Sequence, residues 1–134
     1  MEKRIVQYIF GYKYMTQRYS VRRCEELLYN ARRILHISSI EMAHGVIIFI
    51  RYRKSKNGRI RYTYAHNLLC VALMISNKIL NDVPYKNTVW TKLIHVPLSY
   101  FNLLELRFLR DTQFNIIVSA SEFRKIWKRL FADV

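Results

Sequence analysis

Four histidines, two cysteines and nine acidic residues are the groups from which this 134-residue chain could build a reaction centre. His66 and Cys70 stand four residues apart, which on a helix would set an imidazole beside a thiol as base and nucleophile. The surrounding run HNLLCVALMIS is apolar on nearly every side, so two residues of a buried helix core explain the pair better. The histidines at 36, 44, 66 and 95 form no i, i+4 pair with one another, and no cysteine or acid completes a metal-ligand spacing. Glu25 and Glu26 point two ways on a helix rather than facing each other. Three glycines leave no material for a phosphate-cradling loop. The expectation is a protein with no catalytic residues, no cofactor and no metal.

Lys78 is the residue out of place. It follows Val71–Ile75 and precedes Ile79 and Leu80, where the last turn of a buried helix should be packing. A lysine near a helix C-terminus is favoured by the dipole by ~0.3–1 kcal/mol and can snorkel to solvent. That is the plain reading, and by the same logic Glu105 is a solvated position.

The elements that must position these groups are helices. Hydrophobic residues make up 51% of the chain, while Gly and Pro together number five, too few for a sheet protein with many turns. A chain of this length can bury about 65–70% of its unfolded surface as one domain. No apolar run reaches the ~20 residues of a membrane span, and the N-terminus has no signal-peptide pattern. Cys24 and Cys70, without a CxxC, read as reduced thiols of an intracellular protein, in nucleus or cytoplasm or both.

Net charge is +14 with a pI near 10.1, which suits nucleic acid or an acidic protein partner. The basic residues are spread along the chain. Only RYRKSKNGRIRY, residues 51–62, is dense and free of acids, and Asn57-Gly58 marks it as a loop.

Ile5, Val6, Tyr8, Ile9, Tyr12, Met15 and Tyr19 suit a helix over 2–19, though the aromatics also suit a strand, so 1–20 is read as a helix or extended arm. A clear amphipathic helix follows over 21–36, with Cys24, Leu27, Leu28, Ala31, Ile34 and Leu35 inward and arginines opposite. Ser38 or Ser39, with Glu41 soon after, starts the next, which carries Met42, Val46, Ile47, Phe49 and Ile50. Residues 64–80 read as the central helix, 88–94 as a short one, and 99–111 as a long one with Leu103, Leu104, Phe108 and Leu109 inward. Ser119 and Glu122 form a capping box, opening a helix that buries Phe123, Ile126, Trp127 and Leu130. The fold class is all-α.

From His66 onward the sequence resembles a known family. His66, Leu68, Leu69, Ala72, Leu73, Ser76, Lys78, Leu80, Asp82, Tyr85, Asn87, Trp90, Lys92 and Leu93 match the third and fourth helices of the cyclin box. The similarity is to the fungal cyclins of phosphate-response-type kinases. Asn102, Leu104, Glu105, Phe108 and Leu109 continue it, and QFNIIVSASEF follows the family's ending. The likeness runs from 66 to 123, is fainter from about 27 to 53, and is absent from 1–20 and after 124.

The resemblance implies a single five-helix cyclin box over 21–118, which leaves an N-terminal helix or arm at 1–20 and a C-terminal helix at 119–134 flanking it. It implies a regulatory subunit that binds and activates a cyclin-dependent protein kinase as a heterodimer. The matched Lys78 and Glu105 would hydrogen-bond the backbone leading into the kinase's mobile helix, both exposed in the free protein. Ile79, Leu109, Phe114 and Ile116 would form the apolar part of that contact. Lysine donates to carbonyls and glutamate accepts from amides, which suits the role. Arg51 stands where the family has an acid, Ile94-His95 where it has paired glycines, and Asp111-Thr112 where it has apolar residues. The arginine-bearing substrate-docking motif of mitotic cyclins has no counterpart. No small-molecule substrate or membrane is implied, and any nucleic-acid binding should be weak and non-specific. The alternative is a cyclin-fold nucleic-acid or transcription-factor module using the basic surface.

Overall fold

Every residue from Ala65 to Asn77 is buried, and the rest of the molecule is arranged around that fact. The computed structural model describes residues 1–14, 18–61 and 64–131, and among these it contains seven helices and no strand. They are α1 (Glu2–Tyr14, kinked at Gly11), α2 (Arg18–Ile34), α3 (Ser39–Ser55), α4 (Ala65–Leu80), α5 (Asn87–Ile94), α6 (Leu98–Asp111) and α7 (Ala120–Phe131). The all-α expectation therefore holds. The segment 1–20 forms α1 and the first turn of α2, with Met15 outside the described residues.

Helix α4 can be apolar all round because α2, α3, α5 and α6 cover it. Its closest neighbour is α3, buried from Glu41 to Phe49. Gly45 permits that approach: a Cβ there would meet Leu73 Cδ2 at 2.8 Å and Leu73 Cα at 3.4 Å. Ser38, not Ser39, caps α3, its Oγ accepting from Glu41 N–H at 3.1 Å.

Six side chains differ from expectation. Ile34 is exposed because α2 ends there, and Leu35 and Ile37 turn inward in its place. Leu103 is 46% exposed, since the inward row of α6 runs Phe101, Leu104, Phe108 at spacings of three and four. Phe123, Ile126 and Trp127 are only partly buried, because α7 lies on the outside of α3 and α1, and Leu130 alone of that face is fully enclosed. Glu122 does not return to Ser119. Its backbone N–H donates to Ser119 Oγ at 3.1 Å, but its carboxylate turns to Arg51.

Part of the basic stretch is helix, since α3 runs to Ser55. The chain then reverses at Asn57 (φ 54°) and Gly58 (φ 75°), the left-handed pair that this dipeptide favours. At the end of α5, His95 adopts φ 56° and donates to Thr91 O, so the left-handed cap forms without glycine.

Candidate functional site

Lys78 is the first residue of α4 beyond the buried stretch, and it faces α6. Its Nζ donates to Glu105 Oε2 at 2.8 Å. Asn87 Nδ2, at the start of α5, donates to Glu105 Oε1 at 3.0 Å and to Asn102 Oδ1 at 2.8 Å. One carboxylate on the middle of α6 thus joins the last turn of α4 and the start of α5. The pair is asymmetric: the Lys78 side chain is 38% exposed and that of Glu105 only 17%, so the expectation that both stand in solvent holds for the lysine alone. Lys78 keeps N–H donors free for another partner, and a carboxylate oxygen has room for a further acceptor bond.

The platform beneath is held by polar groups inside the core. Asn77 Nδ2 donates to Glu41 Oε2 at 3.0 Å, while its own Oδ1 accepts from Tyr85 N–H at 3.0 Å. Tyr85 Oη donates to Leu35 O at 2.9 Å. These bonds tie the C-terminus of α4 to α3, to α2 and to the loop before α5. Lys78 therefore projects from a fixed base.

Leu109 lies one turn beyond Glu105 and is half-buried. Phe114 N–H donates to Leu109 O at 2.8 Å, and Ile116 N–H donates to Phe114 O at 3.0 Å. Phe114 is 60% exposed, Ile79 stands exposed beside Lys78, and Ile116 packs partly on the core. Gln113 and Phe114 both adopt left-handed backbone conformations, φ 55° and 57°, without being glycine. Strain of this kind persists only where the surroundings impose it.

Arg51 imposes it. Its Nη1 donates to Asn115 O at 2.8 Å and Ile117 O at 2.9 Å, and its Nη2 to Glu122 Oε2 at 2.7 Å. The residue that departs from the family pattern clamps the segment bearing Phe114 and Ile116. Asp111 and Thr112 are likewise satisfied: Asp111 pairs with Lys56 at 2.7 Å, and the buried Thr112 hydroxyl donates to Phe108 O at 3.0 Å. Arg51→Ala should remove several charge-assisted bonds and cost about 1.5–3 kcal/mol. Thermal denaturation checks this, and an unchanged melting temperature would show that the clamp contributes nothing. Sequence reading gave no role to Asn87, Asn102 or Arg51. The two asparagines were among the matched positions, which was the only signal available for them.

The remaining reactive groups are structural. Cys70 is fully buried, burial pushes its thiol well up, and its Sγ lies 3.9 Å from Trp90 O. A thiol held protonated is no nucleophile. His44 Nδ1 is 2.8 Å from Ser76 Oγ, and burial, then the Arg51 charge, lowers its pKa against a weaker raising effect of Glu122. Burial, then the Arg23 charge, does the same for His66. Among the described residues no three His, Cys, Asp or Glu side chains gather to hold a metal, and no helix is long and apolar enough to cross a membrane.

Both histidines bind protons less readily folded than unfolded. Their contribution is intact above the ordinary histidine value of 6.5 and is lost as pH falls below it. The melting temperature should therefore drop between pH 7 and pH 5.5, less steeply in His44→Gln. A flat profile over that window would contradict the assignment.

Comparison with known proteins gives one family and one relative to report. The family model described as Cyclin matches residues 33–116. Cyclin-U2-1 of Arabidopsis thaliana is 35% identical over 85 residues, which is 63% of this chain. The chain spans 38% of that relative's length. No solved structure matches significantly.

Proposed function

This chain belongs to the cyclin family, a family of regulators rather than catalysts, and from that premise we propose that it binds and activates a cyclin-dependent protein kinase. The observation that carries the proposal is the Lys78–Glu105–Asn87 network, built across three helices beside the exposed Phe114. Lys78 and Glu105 hydrogen-bond the backbone entering the kinase's mobile helix, while Ile79, Leu109, Phe114 and Ile116 receive its apolar side. Holding that helix inward lets the kinase's own glutamate reach its ATP-binding lysine. The cyclin contributes position, and the chemistry belongs to the kinase. The box comprises residues 21–118, it resembles the fungal phosphate-response-type cyclins, and the complex works inside the cell.

Co-purification from the native cell, with mass spectrometry of what is retained, tests the reading. A protein kinase whose activity rises on adding this chain is the expected outcome. The +14 charge gives a second check. Association with the kinase should slow as salt rises while the specific complex persists. Duplex DNA should bind weakly and without sequence preference, its affinity falling with salt by ~0.9 in log–log slope per phosphate contacted. Tight binding to one DNA sequence at physiological salt would instead support the transcription-factor alternative.

A further inference from the structure

A cleft of about 460 Å³ opens at the opposite end of α4 from Lys78. Its volume lies within the roughly 300–1,000 Å³ typical of ligand pockets. The floor is apolar, made by Leu68 of α4, Leu104 of α6 and Ile60 of the α3–α4 connection. Tyrosines from three places wall it: Tyr52 of α3, Tyr64 before α4 and Tyr100 of α6. Tyr52 is fixed by stacking on Phe108, ring centroids 4.5 Å apart and planes at 7°. Burial raises the pKa of its phenol, so the hydroxyl stays a donor.

The rim is cationic. The Asn57-Gly58 reversal folds Arg59 and Arg61 back over the cleft, where both are exposed. Among the described residues neither guanidinium forms an ion pair. Lys56, also on the rim, is already committed to Asp111 at 2.7 Å. Two exposed guanidiniums, with no ion pair among the described residues, above an apolar floor with phenolic donors match an anion attached to a bulky apolar group.

We propose that this cleft docks a short extended segment of a protein partner, a bulky apolar side chain entering between Leu68 and Leu104 and an adjacent carboxylate or phosphate meeting Arg59 and Arg61. Recognition of acidic or phosphorylated motifs by arginines is a recurrent mode of peptide binding. From Tyr64 to Lys78 the helix rises on the order of 20 Å at ~1.5 Å per residue, so the two surfaces can be occupied together. The proposal does not depend on the kinase reading.

The test is selection of a phage-displayed random dodecapeptide library on the whole chain, followed by anisotropy of the enriched peptides. Each is compared with versions carrying phosphoserine, aspartate or asparagine at the anionic position, which separates phosphate from carboxylate. Enrichment of an acidic residue beside a large apolar one is expected. Asparagine at that position, or the Arg59→Ala/Arg61→Ala variant, should weaken binding about 10- to 100-fold. Tyr100→Ala should weaken it as well. Both arginines are exposed, so the variant should keep the wild-type melting temperature. A change in that temperature is met by the charge-preserving Arg59→Lys/Arg61→Lys variant, which should retain part of the affinity. Failure to enrich acidic peptides, binding indifferent to Arg59 and Arg61, or tighter binding of a single-stranded oligothymidylate at the same residues would each overturn the proposal.

Discussion

Lys78→Ala should weaken the proposed complex with a cyclin-dependent kinase by about 30- to 4,000-fold, the equivalent of ~2–5 kcal/mol for truncating one member of a buried, hydrogen-bonded set. In the free protein the lysine is exposed and its ion pair lies at the surface, so the variant's own stability should move by less than ~0.5 kcal/mol. Glu105→Ala should weaken binding similarly but is a less clean probe. Its carboxylate also accepts from Asn87 at 3.0 Å, and removing it leaves that amide without its carboxylate, for a further ~0.5–1.5 kcal/mol of stability. Because the two side chains share one network, the double substitution should cost less than the sum. Lys125→Ala, on the exposed face of α7, is the control and should change little. Calorimetry of the purified complex with kinase activity in parallel measures these effects. If Lys78→Ala binds and activates as wild type does, the lysine is only a solvated helix-terminal residue and the site assignment falls.

Leu73→Ala should destabilise the fold by ~2–5 kcal/mol, through the cavity left in a side chain's place at the centre of α4. Leu73 is fully buried, and its Cδ2 fills the space left open by Gly45 across the α3–α4 contact. A loss of that size is a large part of the ~5–15 kcal/mol that holds a domain folded. Chemical denaturation gives the number directly. A midpoint unmoved by this change would mean that the α3–α4 packing is not the core of the molecule.

The two effects separate position from folding. Leu73 acts by holding the platform together and Lys78 by what it presents on top of it. A variant at 73 should therefore lose kinase binding only as it unfolds, whereas Lys78→Ala should lose it while remaining folded.

The sequence by itself determined that the fold is helical, which helix is central, and where the reversal after α3 falls, while it left 1–20 open between helix and arm. Those properties rest on local periodicity, on caps such as Ser38 and Ser119, and on the scarcity of glycine and proline, all of which act within a few residues. Family resemblance singled out Lys78 and Glu105, and the structure places them 2.8 Å apart. Exact faces were less legible where an element ended or sat at the surface, as at Ile34 and Leu103, because one residue of helix rotates a side chain by a large angle. Only the tertiary structure decided that Glu105 is shared with Asn87, and that Glu122 forsakes its own cap for Arg51. It also decided that Arg51 grips carbonyls more than sixty positions away, at Asn115 and Ile117. The cleft beneath Arg59 and Arg61 is of the same kind, assembled from α3, α4, α6 and a loop. The physical reason is common to all of them: such contacts depend on how packed helices are oriented, and a hydrogen bond between distant residues leaves no periodic trace in either segment.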